Sequence, residues 1–192
     1  AGRGYNIVSI SFPAAFRGKK DHVIGKFVPV LWENLADPII TGREQLGFPK
    51  IYCEIPEPIT LGNKSHIIAH WQGFKWLDVN ISATHQKSKE EYSAEQGIGD
   101  LLFYKYIPKT GDWGKSESEY ACHLPSHCPN RIIKEQSTGE GTVKFHRARW
   151  EDMPTQYNIV NTLSDLEILE YRGASITKTV GMKDLSDQRV LI

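Results

Sequence analysis

Along the chain, apolar positions alternate with polar ones in short segments rich in β-branched and aromatic residues, separated by turn-forming residues. Alternation puts successive side chains on opposite faces of an extended backbone, so each such segment reads as a half-buried strand. The pattern predicts strands near Tyr5 to Phe12, Val23 to Trp32, Lys50 to Ile55, His66 to Trp71, Phe74 to Ser82, Leu101 to Ile107, Ser118 to His123, Arg131 to Glu135, Thr142 to Trp150 and Asp165 to Tyr171. Gly62-Asn63, Thr110-Gly111-Asp112 and Ser137-Thr138-Gly139 supply turns, because Gly tolerates positive φ and Asn or Asp bonds its own backbone. A single short helix interrupts the series, from Pro38 to Leu46: Asp37 caps it, Pro38 suits its first position and Gly47 closes it in a left-handed conformation. The polar stretch Gln86 to Gln96 reads as a solvated connection. Strands without regularly intervening helices point to a mainly β fold and exclude repeated βαβ units.

The chain has 192 residues, the size of one domain. Twenty-three Lys and Arg balance 23 Asp and Glu, so no broad basic field exists for a phosphate backbone or an anionic bilayer. Nucleic acid and membrane are therefore not expected partners, and no apolar run approaches the roughly 18 residues of a spanning helix. The three cysteines, Cys53, Cys122 and Cys128, cannot all pair within one chain, so free thiols in a reducing, cytoplasmic compartment are expected. The N-x-S patterns at Asn63 and Asn80 are short enough to arise by chance. Because the chain opens on Ala1 and enters an alternating segment by Tyr5, it reads as a mature, trimmed or partial product.

Candidate chemistry concentrates in Gly42-Arg43-Glu44-Gln45-Leu46-Gly47-Phe48-Pro49-Lys50-Ile51-Tyr52, which delivers a lysine from a helix end into a strand between apolar residues. By composition alone the bland reading, an ammonium that reaches solvent from a strand start, is the stronger one. Cys122, His123, His127 and Cys128 crowd four possible metal ligands into seven residues, but a structural zinc site joins two separated pairs, so no metal is expected there. His66 and His70 share one face if their segment is a strand, and Trp71, Phe74 and Trp76 read as core. There is no phosphate-binding loop, dinucleotide fingerprint or Gly-x-Ser-x-Gly elbow.

The lysine-bearing stretch resembles the acetoacetate decarboxylase family, whose members carry Gly-Arg-Glu, a short spacer, and an aromatic-Pro-Lys ending in a Schiff-base lysine. Lys50 takes that lysine's place. Tyr5 to Pro13 looks like the family's tyrosine-containing strand, Phe16-Arg17-Gly18 follows in step, and Leu102 to Pro108 resembles its Leu-x-x-Ile-Pro segment. Gly141 to Arg149 and Asp165 to Leu169 resemble its closing strands. The resemblance implies an antiparallel, cone-like β-barrel with short outer helices, a single domain over 1–192 lacking an N-terminal part of the family fold, and a homo-oligomer. It also implies lyase chemistry on a small keto substrate without metal or organic cofactor. Lys50 would be catalytic, and Tyr5, Ile7, Arg43, Glu44 and Phe48 would bind substrate.

Two departures shape that expectation. The archetype follows its nucleophile with a second lysine, where Ile51 stands here, so activation of the amine must come from desolvation by neighbours such as Phe48 or from another cation. The archetype also has a glutamate two residues after its early tyrosine, where Ile7 stands, while its early arginine would precede Ala1. An isoleucine wall favours an apolar substituent over a compact charged acid. The expected reaction is decarboxylation of a β-keto acid larger than acetoacetate; the alternatives are aldol or dehydration chemistry on the same lysine, or a non-catalytic binding barrel.

Overall fold

The computed structural model describes residues 4–93 and 99–192. In chain order its elements are β1 (Ile7–Arg17), β2 (His22–Glu33), α1 (Ala36–Thr41), a π-helical turn (Gly42–Leu46), β3 (Lys50–Tyr52), β4 (Ile59–Leu61), β5 (Lys64–Trp71), β6 (Phe74–Gln86), α2 (Lys89–Ser93), β7 (Leu101–Pro108), β8 (Ser116–Leu124), β9 (Ile132–Phe145), α3 (Tyr157–Ser164), β10 (Ala174–Val180) and β11 (Arg189–Val190). The protein is mainly β with few, short helices. The backbone divides into two units, one formed by Ala1–Tyr52, Gln96–Asn130 and Met182–Ile192, the other by Cys53–Glu95 and Arg131–Gly181. No helix among the described residues is long and apolar enough to cross a membrane.

The first unit holds a sheet in the order β1-β2-β7-β8-β11, with β3 pairing β2 off that path. β2 pairs β1 antiparallel, and β3 and β7 parallel. Because the end of β2 has a neighbour on each edge, its alternation gives way to burial on both faces over Val30–Glu33. Val28, Leu31, Phe48, Phe103, Cys122 and Leu124 form the core cluster under it, with the Phe48 and Phe103 rings 4.2 Å apart. The second unit holds a sheet in the order β10-β9-β6-β5-β4, with Trp76, Leu77, Met153 and Val160 buried in it. Both strand paths are open at their ends.

Several sequence expectations change. Ser137-Thr138-Gly139 is not a turn: the two strands expected on either side of it are one, β9, paired to β6 and β10 along its length. Gly139 is needed for close approach instead, since a Cβ there would run into the Ser82 carbonyl. The segment 165–171 forms no strand; Leu166, Ile168 and Leu169 are exposed, and an alternating pattern without a sheet to join stays irregular. The strand lies further on, at β10. The expected helix splits into α1 and the π-helical turn, and Leu35, which makes no side-chain cap bond, stands at its N-terminus, with Asp37 in the first turn. Gly47 does close it at φ 75°. The Gln86 to Gln96 connection contains α2; residues 94–96 lie outside the described residues.

Candidate active site

Lys50 begins β3 and is 7% exposed. Its partners are set by register: in the parallel pair of β2 and β3, Leu31 stands beside Lys50 and Glu33 beside Tyr52. Positions two apart on a strand share a face, so Leu31, Glu33 and Lys50 lie on one face of the sheet and Glu33 is the diagonal neighbour of Lys50. The Lys50 Nζ lies 2.7 Å from Glu33 Oε1 and donates to the Pro38 carbonyl oxygen at 3.0 Å. It also sits 5.1 Å from the centre of the Phe48 ring. Gly42 presses on the same side chain: a Cβ at that position would stand 2.6 Å from Lys50 Cε and 2.8 Å from Nζ. The strand start, the first turn of α1, the π-helical turn and the Phe48 ring thus enclose one amine.

Glu33 is fully buried, and among the described residues neither of its oxygens has a partner with hydrogen-bond geometry. Its contact with Lys50 is therefore an ion pair aligned by proximity, and the carboxylate retains acceptor capacity for a proton or a donor on a bound molecule. Ile7 stands opposite Glu33 across the antiparallel pair of β1 and β2, which puts an apolar side chain on the face that carries the carboxylate. Ile7 is itself about half exposed. Tyr5, just before β1, feels the same charge: partial burial and the Glu33 carboxylate raise its phenol above the ordinary tyrosine value.

Of the remaining expected site residues, Phe48 is buried beneath the amine. Arg43 is exposed, and its Nη1 donates to the Lys50 backbone carbonyl at 2.9 Å, so it braces the lysine's main chain rather than its amine. Glu44 is exposed too; its backbone oxygen, not its carboxylate, is engaged, accepting from Lys105 Nζ at 2.6 Å.

The acetoacetate decarboxylase family model matches residues 1–183. The chain belongs to the acetoacetate decarboxylase family. Solved structures agree in fold. A structure of acetoacetate decarboxylase from Legionella pneumophila superposes with a TM-score of 0.71 at 18% identity, over 98% of this chain and 67% of that one. A second acetoacetate decarboxylase gives a TM-score of 0.73 at 15% identity, over 97% and 68%. The enduracididine biosynthesis enzyme MppR, complexed with the condensation product of pyruvate and imidazole 4-carboxaldehyde, gives 0.57 at 16%, over 97% and 65%. No curated protein matches the chain.

The carboxylate beside the lysine comes from the last residue of β2, one position beyond the strand expected to end at Trp32. The signal was present: a charged residue closing the apolar run Val30-Leu31-Trp32 is hard to place in a half-buried strand unless it is paired. The Cys122 to Cys128 stretch is split by strand alternation. Cys122 faces the core cluster, while His123 Nε2 is committed to Asp100 at 2.7 Å. His66 contacts Asp78 at 2.7 Å from one side while His146 contacts it at 2.6 Å from another, with Lys75 completing the cluster. That cluster, and a hollow of about 430 Å³ lined by Ile59, Leu61, His66, Asn80 and Thr142, belong to the second unit and contain no part of the Lys50 surroundings.

Proposed function

We propose that this chain performs carbonyl chemistry through an imine on Lys50, with Glu33 as its proton partner. The observation that carries the reading is the buried Lys50 amine held 2.7 Å from a fully buried carboxylate, and the motif's resemblance to the family's Schiff-base lysine supports it. Glu33 takes a proton from the ammonium, and the neutral amine attacks the substrate ketone. The resulting carbinolamine loses its oxygen as water, for which Glu33 returns the proton, leaving a cationic iminium opposite a carboxylate. In a β-keto acid the bond to the carboxylate then breaks: its electron pair flows into the iminium, carbon dioxide departs and a neutral enamine remains. Protonation of the enamine carbon and hydrolysis release the ketone and free Lys50.

The apolar Ile7 beside Glu33 favours a β-keto acid bulkier than acetoacetate. Aldol or dehydration chemistry on the same iminium is the second reading, favoured by the fold shared with MppR, whose complex holds a condensation product of pyruvate and an aldehyde. The cone-like barrel, the single domain and the homo-oligomer implied by the resemblance, and the cytoplasmic location expected from the cysteines, belong to the same proposal. The experiment is borohydride reduction in the presence of acetoacetate, bulkier β-keto acids and pyruvate with aldehydes, followed by mass analysis and product identification. A stable adduct on Lys50, carbon dioxide release fastest from a bulkier acid, and loss of both in Lys50→Ala are expected. Absence of any adduct across these substrates would leave a binding barrel as the function; rapid turnover of acetoacetate would overturn the substrate assignment.

A further inference from the structure

A second buried lysine in the first unit lacks the compensation that Lys50 enjoys. Lys105, on β7, is 9% exposed. Its ammonium donates to the Glu44 carbonyl oxygen at 2.6 Å and stands 5.4 Å from the centre of the Tyr120 ring, and no carboxylate among the described residues pairs with it. A buried ammonium with one neutral acceptor and one ring face is under-compensated, because desolvation removes the water that would otherwise balance its charge. Arg43 is exposed, yet it too has no carboxylate partner among the described residues, and its hydrogen bond to the Lys50 carbonyl uses one of five guanidinium N–H groups.

These two cations border the same space. A hollow of about 190 Å³ is lined by Arg43, Phe48, Pro49, Lys105, Tyr106 and their neighbours. It lies beside a stretch of β7 whose second edge is open. On one edge β7 pairs with β8 from Leu101 to Pro108, but its pairing with β2 ends at Phe27 and Leu102. Beyond Leu102 no strand among the described residues pairs with that edge. Gly47 is fitted closely against one wall, since a Cβ there would meet Lys105 Cβ at 2.9 Å and Cys122 Sγ at 3.0 Å.

We infer that this hollow is a binding site for a small oxyanion, a carboxylate or a phosphate, held between the Arg43 guanidinium and the Lys105 ammonium. The guanidinium presents a planar fork suited to two oxygens of one anion, and the ammonium has two further donors beyond the one given to Glu44. In a chain of zero net charge, no general excess of cations accounts for this local surplus. The inference does not depend on the Lys50 chemistry: the Lys50 amine is turned to Glu33 and Pro38, whereas the hollow adjoins its main chain through Arg43.

The test is a titration of the full chain, followed by intrinsic fluorescence and thermal melting, with inorganic phosphate and separately with sodium acetate. Sodium chloride at matched ionic strength is the reference, and wild type is compared with Arg43→Gln and Lys105→Met. A saturable response to at least one oxyanion is expected, with the dissociation constant raised at least about tenfold in each variant, the loss of one charge-assisted contact. A response to phosphate alone assigns a phosphoryl ligand, and one as strong with acetate assigns a carboxylate. If Lys105→Met does not fold, Arg43→Gln decides, because Arg43 is exposed. No saturation beyond the chloride response, or wild-type affinity in Arg43→Gln, would overturn the assignment.

Discussion

Gly42→Ala probes the Lys50 site with a single methyl group. The added Cβ would stand 2.6 Å from Lys50 Cε, 2.7 Å from Cδ and 2.8 Å from Nζ. Non-bonded carbons rest at about 3.5 to 4.0 Å, so the end of the lysine must retreat by about 1 Å. Backbone strain does not oppose the change, since Gly42 has φ −64° and ψ −40°, ordinary helical values at which alanine is preferred by about 1 kcal/mol. The cost falls on the amine, which cannot hold both the 2.7 Å contact with Glu33 and the 3.0 Å bond to Pro38 after such a shift. Full loss of a buried pair costs about 3 to 5 kcal/mol, so with the helical gain subtracted the variant should lose at most about 2 to 4 kcal/mol. It should still fold.

The effect on chemistry should be larger than the effect on stability. Misplacement of a reacting group by about 1 Å costs on the order of a hundredfold in rate. The assay is the rate of borohydride-trapped adduct formation on Lys50, by mass spectrometry, for wild type, Gly42→Ala and Lys50→Ala, with denaturant melts run alongside. The expected order is a fast wild type, a Gly42→Ala protein about a hundredfold slower, and no adduct in Lys50→Ala. A folded Gly42→Ala protein that traps substrate at the wild-type rate would refute the claim that the enclosed geometry of the amine matters.

Two further outcomes follow from buried charge. Lys50→Met alone and Glu33→Met alone should each be destabilised by about 3 to 5 kcal/mol in urea melts, because each leaves an unpaired buried charge, whereas the double variant should recover most of that loss; a double variant no more stable than the singles would contradict the pairing. Burial pushes the Asp78 carboxyl up, but hydrogen bonds from Lys75, His146 and His66 outweigh it and hold the group below the ordinary carboxylate range. A carboxyl depressed in the folded state contributes stability that is fully present above its unfolded value near 3.9 and is lost as pH falls through the folded value. Wild type should therefore lose stability below about pH 4 more steeply than Asp78→Asn, which should itself be about 1 to 3 kcal/mol less stable at neutral pH; parallel pH profiles would show that the cluster adds nothing.

Strand positions were readable in β1, β5 and β7, where clear alternation coincided with a sheet to join, and not in the short β4 or in β10. Where it misled, the cause was context that no local window contains. Gly139 looks like a turn residue because glycine usually is one, yet its missing side chain serves the approach of β6 to β9. Residues 165–171 alternate as a strand would, but join no sheet. The site divides in the same way. The lysine and the Phe48 beneath it were legible from the motif, because both lie in one short stretch. Glu33 was not, because its meeting with Lys50 depends on β2 and β3 lying side by side in a particular register, a long-range fact. Lys105 was hidden for the same reason: only the fold brings β7 against the turn that follows α1.

The charge ledger of the site bears on which reaction the proposed imine performs. An ammonium and a carboxylate form a neutral pair; so do an amine and a carboxylic acid after proton transfer, and so do an iminium and a carboxylate. An aldol route from a ketone donor without a carboxylate keeps that balance throughout, because Glu33 can take the α-proton as the iminium becomes a neutral enamine; pyruvate as the donor would bring the same second carboxylate as a β-keto acid. Decarboxylation does not, because the substrate brings a second carboxylate into surroundings where Glu33 is already buried and Lys50 already paired. Two carboxylates against one cation are unfavourable in a desolvated site, and the repulsion is relieved only when carbon dioxide leaves. That imbalance accelerates bond cleavage if the acid can first be held, and it blocks the reaction if the acid cannot enter. A β-keto acid decarboxylase built on this lysine must therefore offer the substrate carboxylate a further cation or a large apolar surface that makes binding favourable in spite of the repulsion. The isoleucine opposite Glu33 supplies surface and not charge, and this is the physical reason to look for bulky β-keto acids before small ones.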